Sequence, residues 1–237
     1  MNIKAAIVDV YGTLLEVGPA PPHAEQLWHD LWVEMFGRAP ELSRLVFSVA
    51  CNRAMASHHA TARARGIVYP EVNWPLVVAE VLPKFAALAP AAQDEFLWRQ
   101  IRTGHTTAMT AETAEGLRRL KSHGCVLGIA SNAQAYTLGE LGHHLHKHGL
   151  GLDLFEPDLT FWSYQHGFSK PDPHVFQLLT TRLALRGISE GQTLMIGDRL
   201  DNDIEPARAH GWQTWQLSHS GNEGDGTFAE LLRALGL

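Results

Sequence analysis

Four short polar clusters in the sequence contain residue types used in nucleophilic catalysis. An aspartate can attack an electrophile, a hydroxyl can bind an anionic group, and a lysine can neutralise negative charge. Further carboxylates can hold a divalent cation. The clusters are Asp9-Val10-Tyr11-Gly12-Thr13-Leu14, Ser131-Asn132, Lys170-Pro171-Asp172-Pro173 and Gly197-Asp198-Arg199-Leu200-Asp201-Asn202-Asp203. Because each cluster alone is also typical of a turn or a cap, their meaning depends on whether the fold brings them together.

Short apolar runs, which are typical of buried strands, precede these clusters. The runs cover residues 3–9, 125–130, 159–162, 193–196 and 213–217. Helical patterns separate them at residues 113–121, 172–185, 203–210 and 227–235. This alternation predicts an α/β fold with a parallel sheet covered by helices on both faces. Since ligands of open parallel sheets bind at the carboxyl ends of the strands, the clusters should meet at that edge.

Residues 17–106 interrupt the alternation and are predicted to form an all-helical block. We therefore predict a core domain of residues 1–16 and 107–237 and a helical cap of residues 17–106. A block inserted after the first strand would lie over the strand ends as a lid, with Trp28 and Trp32 in its own core. Its helices are expected from Pro21 to Gly37, from residue 41 to 65, from Asn73 with a bend at Pro83, and over residues 92–103.

Composition indicates a globular protein and argues against several classes of partner. The chain has 237 residues, is 45% apolar and carries a net charge of −6. No basic block indicates nucleic-acid binding, and no segment has the roughly 20 apolar residues that cross a bilayer. Cys51 and Cys125 suggest no disulfide framework, and the first residues do not resemble a signal peptide. We expect a cytoplasmic protein that acts on a small anionic molecule, and no oligomeric state is indicated.

The order and spacing of the four clusters resemble the motifs of the haloacid dehalogenase superfamily, over essentially the whole chain. The helical block resembles the cap of that superfamily. The resemblance implies a Rossmann-like core, a mobile cap and hydrolysis through a covalent aspartyl intermediate. It implies that Asp9 is the nucleophile and that Lys170 holds the nucleophile and the developing negative charge. It also places Ser131 and Asn132 among the catalytic residues, with Ser131 hydrogen-bonded to the transferring group.

The resemblance further implies Mg²⁺ as the cofactor. Asp198 and Asp203 would hold the ion together with Asp9, and Tyr11 is counted among both the metal-site and the catalytic candidates. Thr13 is another catalytic candidate. The turn that contains it can direct backbone N–H groups at an anion.

Tyr11 leaves the reaction class open. Phosphatases of this superfamily usually carry an aspartate at this position, and such an acid-base group is worth about 10²–10⁴ in rate. The form Asp-x-Tyr-Gly-Thr-Leu instead resembles 2-haloacid dehalogenases, which use no metal. Asp198 and Phe176 depart from the dehalogenase pattern. The favoured hypothesis is a slow Mg²⁺-dependent hydrolase of a small phosphorylated metabolite. The alternatives are a dehalogenase-like hydrolase and a weak or inactive phosphate-binding relative.

Four histidines, at positions 143, 144, 146 and 148, lie on one predicted helix. His144 and His148 are one helical turn apart, a spacing that can hold a metal. No cysteine nearby completes such a site. We therefore expect the histidines to form a solvated helix face.

Overall fold

A computed structural model describes residues 2–218 and 224–237. The strands are β1 (Ala5–Val8), β2 (Glu16–Gly18), β3 (Thr106–Ala108), β4 (Val126–Ser131), β5 (Thr160–Trp162), β6 (Thr193–Gly197) and β7 (Gln213–Gln216). Five of them form a sheet in the order β5-β4-β1-β6-β7, and every neighbouring pair is parallel. The α/β fold predicted from the sequence is confirmed.

The helices lie where the sequence predicts them, with ends that shift by a few residues. They are α1 (Ala24–Phe36), α2 (Arg44–Ala64), α3 (Trp74–Val81), α4 (Pro83–Ala86), α5 (Pro90–Ile101), α6 (Ala111–Ser122), α7 (Tyr136–Lys147), α8 (Pro173–Leu185), α9 (Glu205–Ala209) and α10 (Phe228–Leu235). The expected bend at Pro83 is a break between α3 and α4, because proline lacks the N–H that would continue the helix. Within the described residues, no helix has the length and apolar content needed to span a membrane.

Helices cover both faces of the sheet, and β1 shows why. Its side chains alternate, so Ala6 and Val8 belong to one apolar cluster and Ala5 and Ile7 to another. Helices α6, α7 and α10 contribute leucines and Phe228 to the first cluster, while α8 and α9 cover the opposite face. The central strand is thus buried on both sides, as a continuous apolar run predicts.

Helices α1 to α5 form the cap and enclose a core of their own. Trp28, Trp32 and Phe96 are almost completely buried in that core, as predicted for the two tryptophans. The sequence does not predict the ribbon at the root of the cap, where β2 and β3 pair antiparallel with Glu16 opposite Ala108. The predicted domain boundaries, after residues 16 and 106, fall within this ribbon and stay a prediction.

Candidate active site

The sheet order places the four polar clusters at one edge. Strand β1 is central, and Asp9 follows its last residue directly. Its neighbours β4 and β6 end at Ser131 and just before Asp198. Lys170 lies in the chain between β5 and α8. Because all these strands are parallel, their carboxyl ends lie together, and residues up to 194 positions apart become neighbours.

A buried ion cluster forms the centre of this site. The ammonium Nζ of Lys170 donates hydrogen bonds to Oδ1 of Asp9 at 2.8 Å and to Oδ1 of Asp203 at 2.5 Å. The three side chains are only 2%, 11% and 1% exposed, respectively. Buried charges of this kind persist only when they are paired, and removal of one partner is costly. The lysine therefore holds both carboxylates in fixed positions.

A third carboxylate, Asp198, completes a possible metal site. One carboxylate oxygen each from Asp9, Asp198 and Asp203 lies within 4.8 Å of the others. Gly12 makes this approach possible: with φ of +77°, a Cβ at this position would lie 2.4 Å from Oδ2 of Asp198. Three carboxylates around one ammonium leave an excess of negative charge. Such an oxygen-rich set is the donor chemistry that Mg²⁺ prefers.

The crowding of charge is visible in the pKa values of the cluster. Burial is the largest cause that raises the pKa of Asp9, which reaches about 7. Lys170 opposes this rise, whereas Asp203 and Asp198 add to it. Burial would lower the pKa of Lys170, but the carboxylates of Asp203 and Asp9 outweigh it and raise that pKa. An additional cation near the carboxylates would favour the ionised nucleophile.

Asn132 positions the lysine through its backbone. Its Nδ2 donates to the carbonyl of Lys170 at 2.9 Å, and its Oδ1 accepts from the N–H of Lys170 at 2.8 Å. This pair of bonds links the end of β4 to the loop that carries the lysine. The side chain of Asn132 is therefore used for positioning and contacts the peptide group of the lysine.

Two buried hydroxyls are available to a ligand. Within the described part of the chain, Oγ of Ser131 and Oγ1 of Thr13 have no hydrogen-bond partner, and the two residues are 1% and 4% exposed. Unsatisfied buried polar groups are uncommon and costly. The expectation for the backbone at Thr13 was wrong, because its N–H donates to Val10 at 3.3 Å and that of Gly12 to Leu15 at 2.8 Å. The hydroxyl of Thr13, rather than the N–H groups of Gly12 and Thr13, can meet an anion.

Tyr11 is held by helix α7. Its hydroxyl donates to Oε2 of Glu140 at 2.5 Å and lies 3.0 Å from Oγ1 of Thr137. The other oxygen of Glu140 lies 3.1 Å from Nε2 of His105. Burial, followed by the charge of Glu140, raises the pKa of Tyr11 well above its ordinary value. The phenol therefore keeps its proton, and that proton points at Glu140.

The cap also contacts the core near Lys170, and the sequence gives no signal for this contact. The carboxylate of Glu71 accepts hydrogen bonds from Gln134 Nε2 at 3.0 Å and from Ser163 Oγ at 2.6 Å. Beside it, the N–H of Ser169 donates to the carbonyl of Tyr69 at 2.9 Å. The segment immediately before Lys170 is thus bonded to the cap. We call this cap–core contact the Glu71 contact.

The histidine cluster on α7 differs from the predicted solvated face. His144 is 9% exposed, and its Nε2 lies 3.0 Å from Oγ1 of Thr107. Nε2 of His148 lies 3.1 Å from the carbonyl oxygen of Met109. The prediction was wrong for these two residues because the chain around β3 packs against this side of α7. The other two histidines of the cluster are exposed.

The family follows from a comparison of the sequence with known families. The profile of haloacid dehalogenase-like hydrolases matches residues 3–211. The chain belongs to this family. Among curated proteins, no sequence matches the chain.

Solved structures of haloacid dehalogenase-like (HAD) proteins share the whole fold. A putative HAD-hydrolase, YfnB from Bacillus subtilis, bound to magnesium, has 19% identity and a TM-score of 0.54, with 100% of both chains covered. A HAD phosphatase from Thermococcus onnurineus has 20% identity and a TM-score of 0.55, covering 99% of this chain and 98% of that one. A 2-haloacid dehalogenase from Pseudomonas syringae pv. tomato DC3000 has 18% identity and a TM-score of 0.61, with the same coverage. At these identities the similarity shows the fold alone.

Proposed function

We propose that this haloacid dehalogenase-like hydrolase is a Mg²⁺-dependent phosphohydrolase that acts on a small phosphorylated metabolite. The observation that carries the proposal is the position of Asp198, whose carboxylate lies within 4.8 Å of carboxylate oxygens of Asp9 and Asp203. A carboxylate in this place has a function when a cation is bound. A divalent cation would offset the repulsion among these three carboxylates.

The balance of charge supports a metal-dependent reaction. Three carboxylates and one ammonium would repel a phosphate group, since like charges a few ångströms apart interact strongly where water is excluded. Asp9, Asp198 and Asp203 would hold Mg²⁺, and Tyr11 could add only its backbone carbonyl because Glu140 binds its hydroxyl. When bound, the ion polarises the phosphoryl group and neutralises its charge.

Each of the other residues of the site then has a separate role in the reaction. Lys170 holds Oδ1 of Asp9 in place. A carboxylate oxygen of Asp9 attacks phosphorus, and the bond between phosphorus and the leaving-group oxygen breaks. The free hydroxyls of Ser131 and Thr13 donate hydrogen bonds to the phosphoryl oxygens. Water then hydrolyses the aspartyl phosphate on Asp9 and releases inorganic phosphate. Asn132 acts indirectly, by positioning the lysine.

The contacts of Tyr11 set the expected substrate preference. Its proton is directed to Glu140 and is held there by a raised pKa, so it does not protonate a leaving group. Leaving groups that depart as stable anions should therefore react much faster than simple alkoxides. The loss of a general acid is worth about 10²–10⁴ in rate, which makes this a slow enzyme for alkyl phosphates.

A dehalogenase-like reaction is the second candidate, and Tyr11 is the observation that favours it. The motif Asp-x-Tyr-Gly-Thr-Leu resembles that of 2-haloacid dehalogenases, in which a carboxylate displaces halide from carbon. The substrate of that reaction is itself a carboxylate. It would approach Asp9 with Asp198 and Asp203 beside it and only Lys170 to balance them, which makes this candidate the weaker one.

The test compares two activities in two metal conditions. Hydrolysis of p-nitrophenyl phosphate and chloride release from 2-chloropropionate are measured with Mg²⁺ and in metal-depleted buffer. Asp198→Asn removes one charge from the site. Asp201→Asn is the matched control, because Asp201 lies in the same loop, is 67% exposed and pairs with Arg199.

The proposal predicts Mg²⁺-dependent phosphate release by the wild type and by Asp201→Asn. Asp198→Asn should lose activity by about 100-fold, since removal of a metal ligand abolishes a large electrostatic contribution. Metal-independent chloride release by the wild type would establish the dehalogenase reaction instead. Silence of the wild type in both assays, over a panel of aryl phosphates, would favour the inactive relative.

A further inference from the structure

A cavity with a volume of about 390 Å³ opens beside β3, where the chain returns from the cap to the core, and we call this side of the molecule the hinge side. Its walls come from both domains: the end of α5, the chain leading into β3, the start of α1 and one side of α7. Neither the ion cluster nor the free hydroxyls of the active site line it. The volume lies within the range of small-molecule sites. This cavity is therefore separate from the catalytic carboxylates.

Three side chains with a permanent positive charge line the cavity, although the chain as a whole carries a charge of −6. The histidines add neutral ring nitrogens, because burial and neighbouring cations lower the pKa of His143 and of His144. Arg99 and Arg102 come from the cap, and Lys147, His143 and His144 come from α7 of the core, with His105 between them. Arg99 is paired with Glu34 at 2.6 Å. In the part of the chain that the structure describes, Arg102 and Lys147 have no carboxylate within 4.0 Å. Their charge is available to a ligand.

One acidic side chain lines the cavity, and it is already engaged. Glu140 binds the hydroxyl of Tyr11 through Oε2 and lies 3.1 Å from His105 through Oε1. Its side chain is only 3% exposed. Both of its oxygens are occupied by Tyr11 and His105, so neither faces a ligand without a partner. It also connects the cavity wall to Tyr11, two residues after the nucleophile.

The wall between cap and core depends on a close approach of α5 and α7. A Cβ at Gly139 would lie 2.8 Å from Cζ3 of Trp98, so the absence of a side chain lets the indole pack on α7. The guanidinium of Arg102 lies 5.3 Å from the centroid of the same indole, which is the geometry of a cation–π contact. Trp98 thus holds a cap arginine opposite the basic residues of α7.

We propose that this cavity is a binding site for a small molecule with at least two anionic groups, either phosphates or carboxylates. One group would meet Arg102 of the cap, and the other would meet Lys147 and His143 of the core. We call these three residues the hinge-side anion site. Because its charges come from both domains, a bound ligand stabilises the arrangement in which α5 and α7 are packed together.

Calorimetric titration tests binding with two probes, inorganic pyrophosphate for phosphates and citrate for carboxylates. Both chelate Mg²⁺, so the buffer is depleted of metal on a chelating resin. The test variant is Arg102→Ala/Lys147→Ala. The matched control is Arg63→Ala/Arg65→Ala, which removes the same charge from exposed positions at the end of α2. NMR spectra of the histidine rings locate the probe through His143, whose signal is assigned with His143→Gln.

At least one probe should bind the wild type and the control variant equally well. The test variant should bind that probe about tenfold more weakly. The affinity of the wild type should fall at high salt. The ring signal of His143 should move with the same concentration dependence. Absence of binding by both probes, equal loss in the control variant, or binding that leaves His143 unmoved would overturn the proposal. None of these outcomes depends on catalysis, so they are independent of the proposed hydrolysis.

Discussion

Replacement of Tyr11 by phenylalanine separates two possible functions of the phenol. The change removes only the hydroxyl, which donates to Oε2 of Glu140 at 2.5 Å and lies 3.0 Å from Thr137. A hydrogen bond to a charged group contributes about 1.5–3 kcal/mol to the free energy of unfolding. Glu140 is buried, with a side chain only 3% exposed, so water cannot readily replace the lost donor. The loss should lie within that range.

For a chain of this size each kcal/mol corresponds to roughly 2–4 °C in Tm, so Tyr11→Phe should unfold about 3–12 °C lower than the wild type. Turnover of an alkyl phosphate, whose leaving group needs a proton, should change by less than about fivefold, far below the 10²–10⁴ expected for loss of a general acid. Differential scanning calorimetry and steady-state kinetics on the same preparations measure the two effects.

Glu140→Gln and the double variant complete a mutant cycle. If the hydroxyl and the carboxylate stabilise one another, the two changes should be non-additive by about 1 kcal/mol or more in the free energy of unfolding. A loss of turnover near 100-fold in Tyr11→Phe, with Tm unchanged, would refute the reasoning, because it would make the phenol a catalytic acid that this geometry does not use.

Three further predictions concern the ion cluster. Asp9→Asn should stabilise the metal-free protein at pH 8. The pKa of Asp9 is raised from 3.8 to about 7 in the folded state, so the wild type loses stability as the pH rises between those values. The expected gain in the free energy of unfolding is at most about 4 kcal/mol. The difference in Tm should vanish near pH 4, and a constant difference would contradict the linkage. Gly12→Ala should weaken Mg²⁺ binding by about 10–100-fold in calorimetry through displacement of Asp198. Unchanged affinity would contradict the reasoning that the close approach at Gly12 holds Asp198 in place for the ion. Asn132→Ala should lower kcat with little change in KM and destabilise by about 1–3 kcal/mol, whereas a change in KM alone would mean that Asn132 contacts substrate.

The sequence predicts the sheet and the meeting of its polar clusters well. Strands β1, β4 and β6 are short apolar runs, and they lead into Asp9, Ser131 and Asp198, respectively. Parallel strands bring such residues to one edge whatever the details of packing. The identity of the main site residues could therefore be argued without coordinates.

The ribbon of β2 and β3 shows what local pattern cannot predict. Each strand has three residues, and Val17 is half exposed rather than part of an apolar alternation. The pairing joins Glu16 to Ala108, which the whole cap separates in the sequence. Strand propensity over three residues carries almost no signal, because tertiary context decides such short pairings.

Glu140 illustrates the limit for the site. It lies in the middle of α7, where an acidic residue normally indicates a solvated position. Its function depends on Tyr11, 129 residues earlier. A buried acid needs a partner, but the sequence does not show which acid is buried. The prediction of a solvated position for His144 was wrong for the same reason, because helical periodicity does not show that β3 packs against this side of the helix.

The Glu71 contact has a consequence for the timing of the reaction. The hydrogen bond between Ser169 and Tyr69 restrains the chain one residue before Lys170. A cap that moves away from the core must break this bond. Amide hydrogen exchange at Ser169 should then be as fast as cap opening. Protection of the Ser169 amide that outlasts opening would exclude a link between cap opening and the lysine loop. An open molecule would lose this link between the lysine loop and the cap, while the bonds between Asn132 and the backbone of Lys170 remain. Cap opening would thus loosen the segment before Lys170 while Asp9 stays fixed at the end of β1. Entry of substrate and full assembly of the ion cluster would then be successive events.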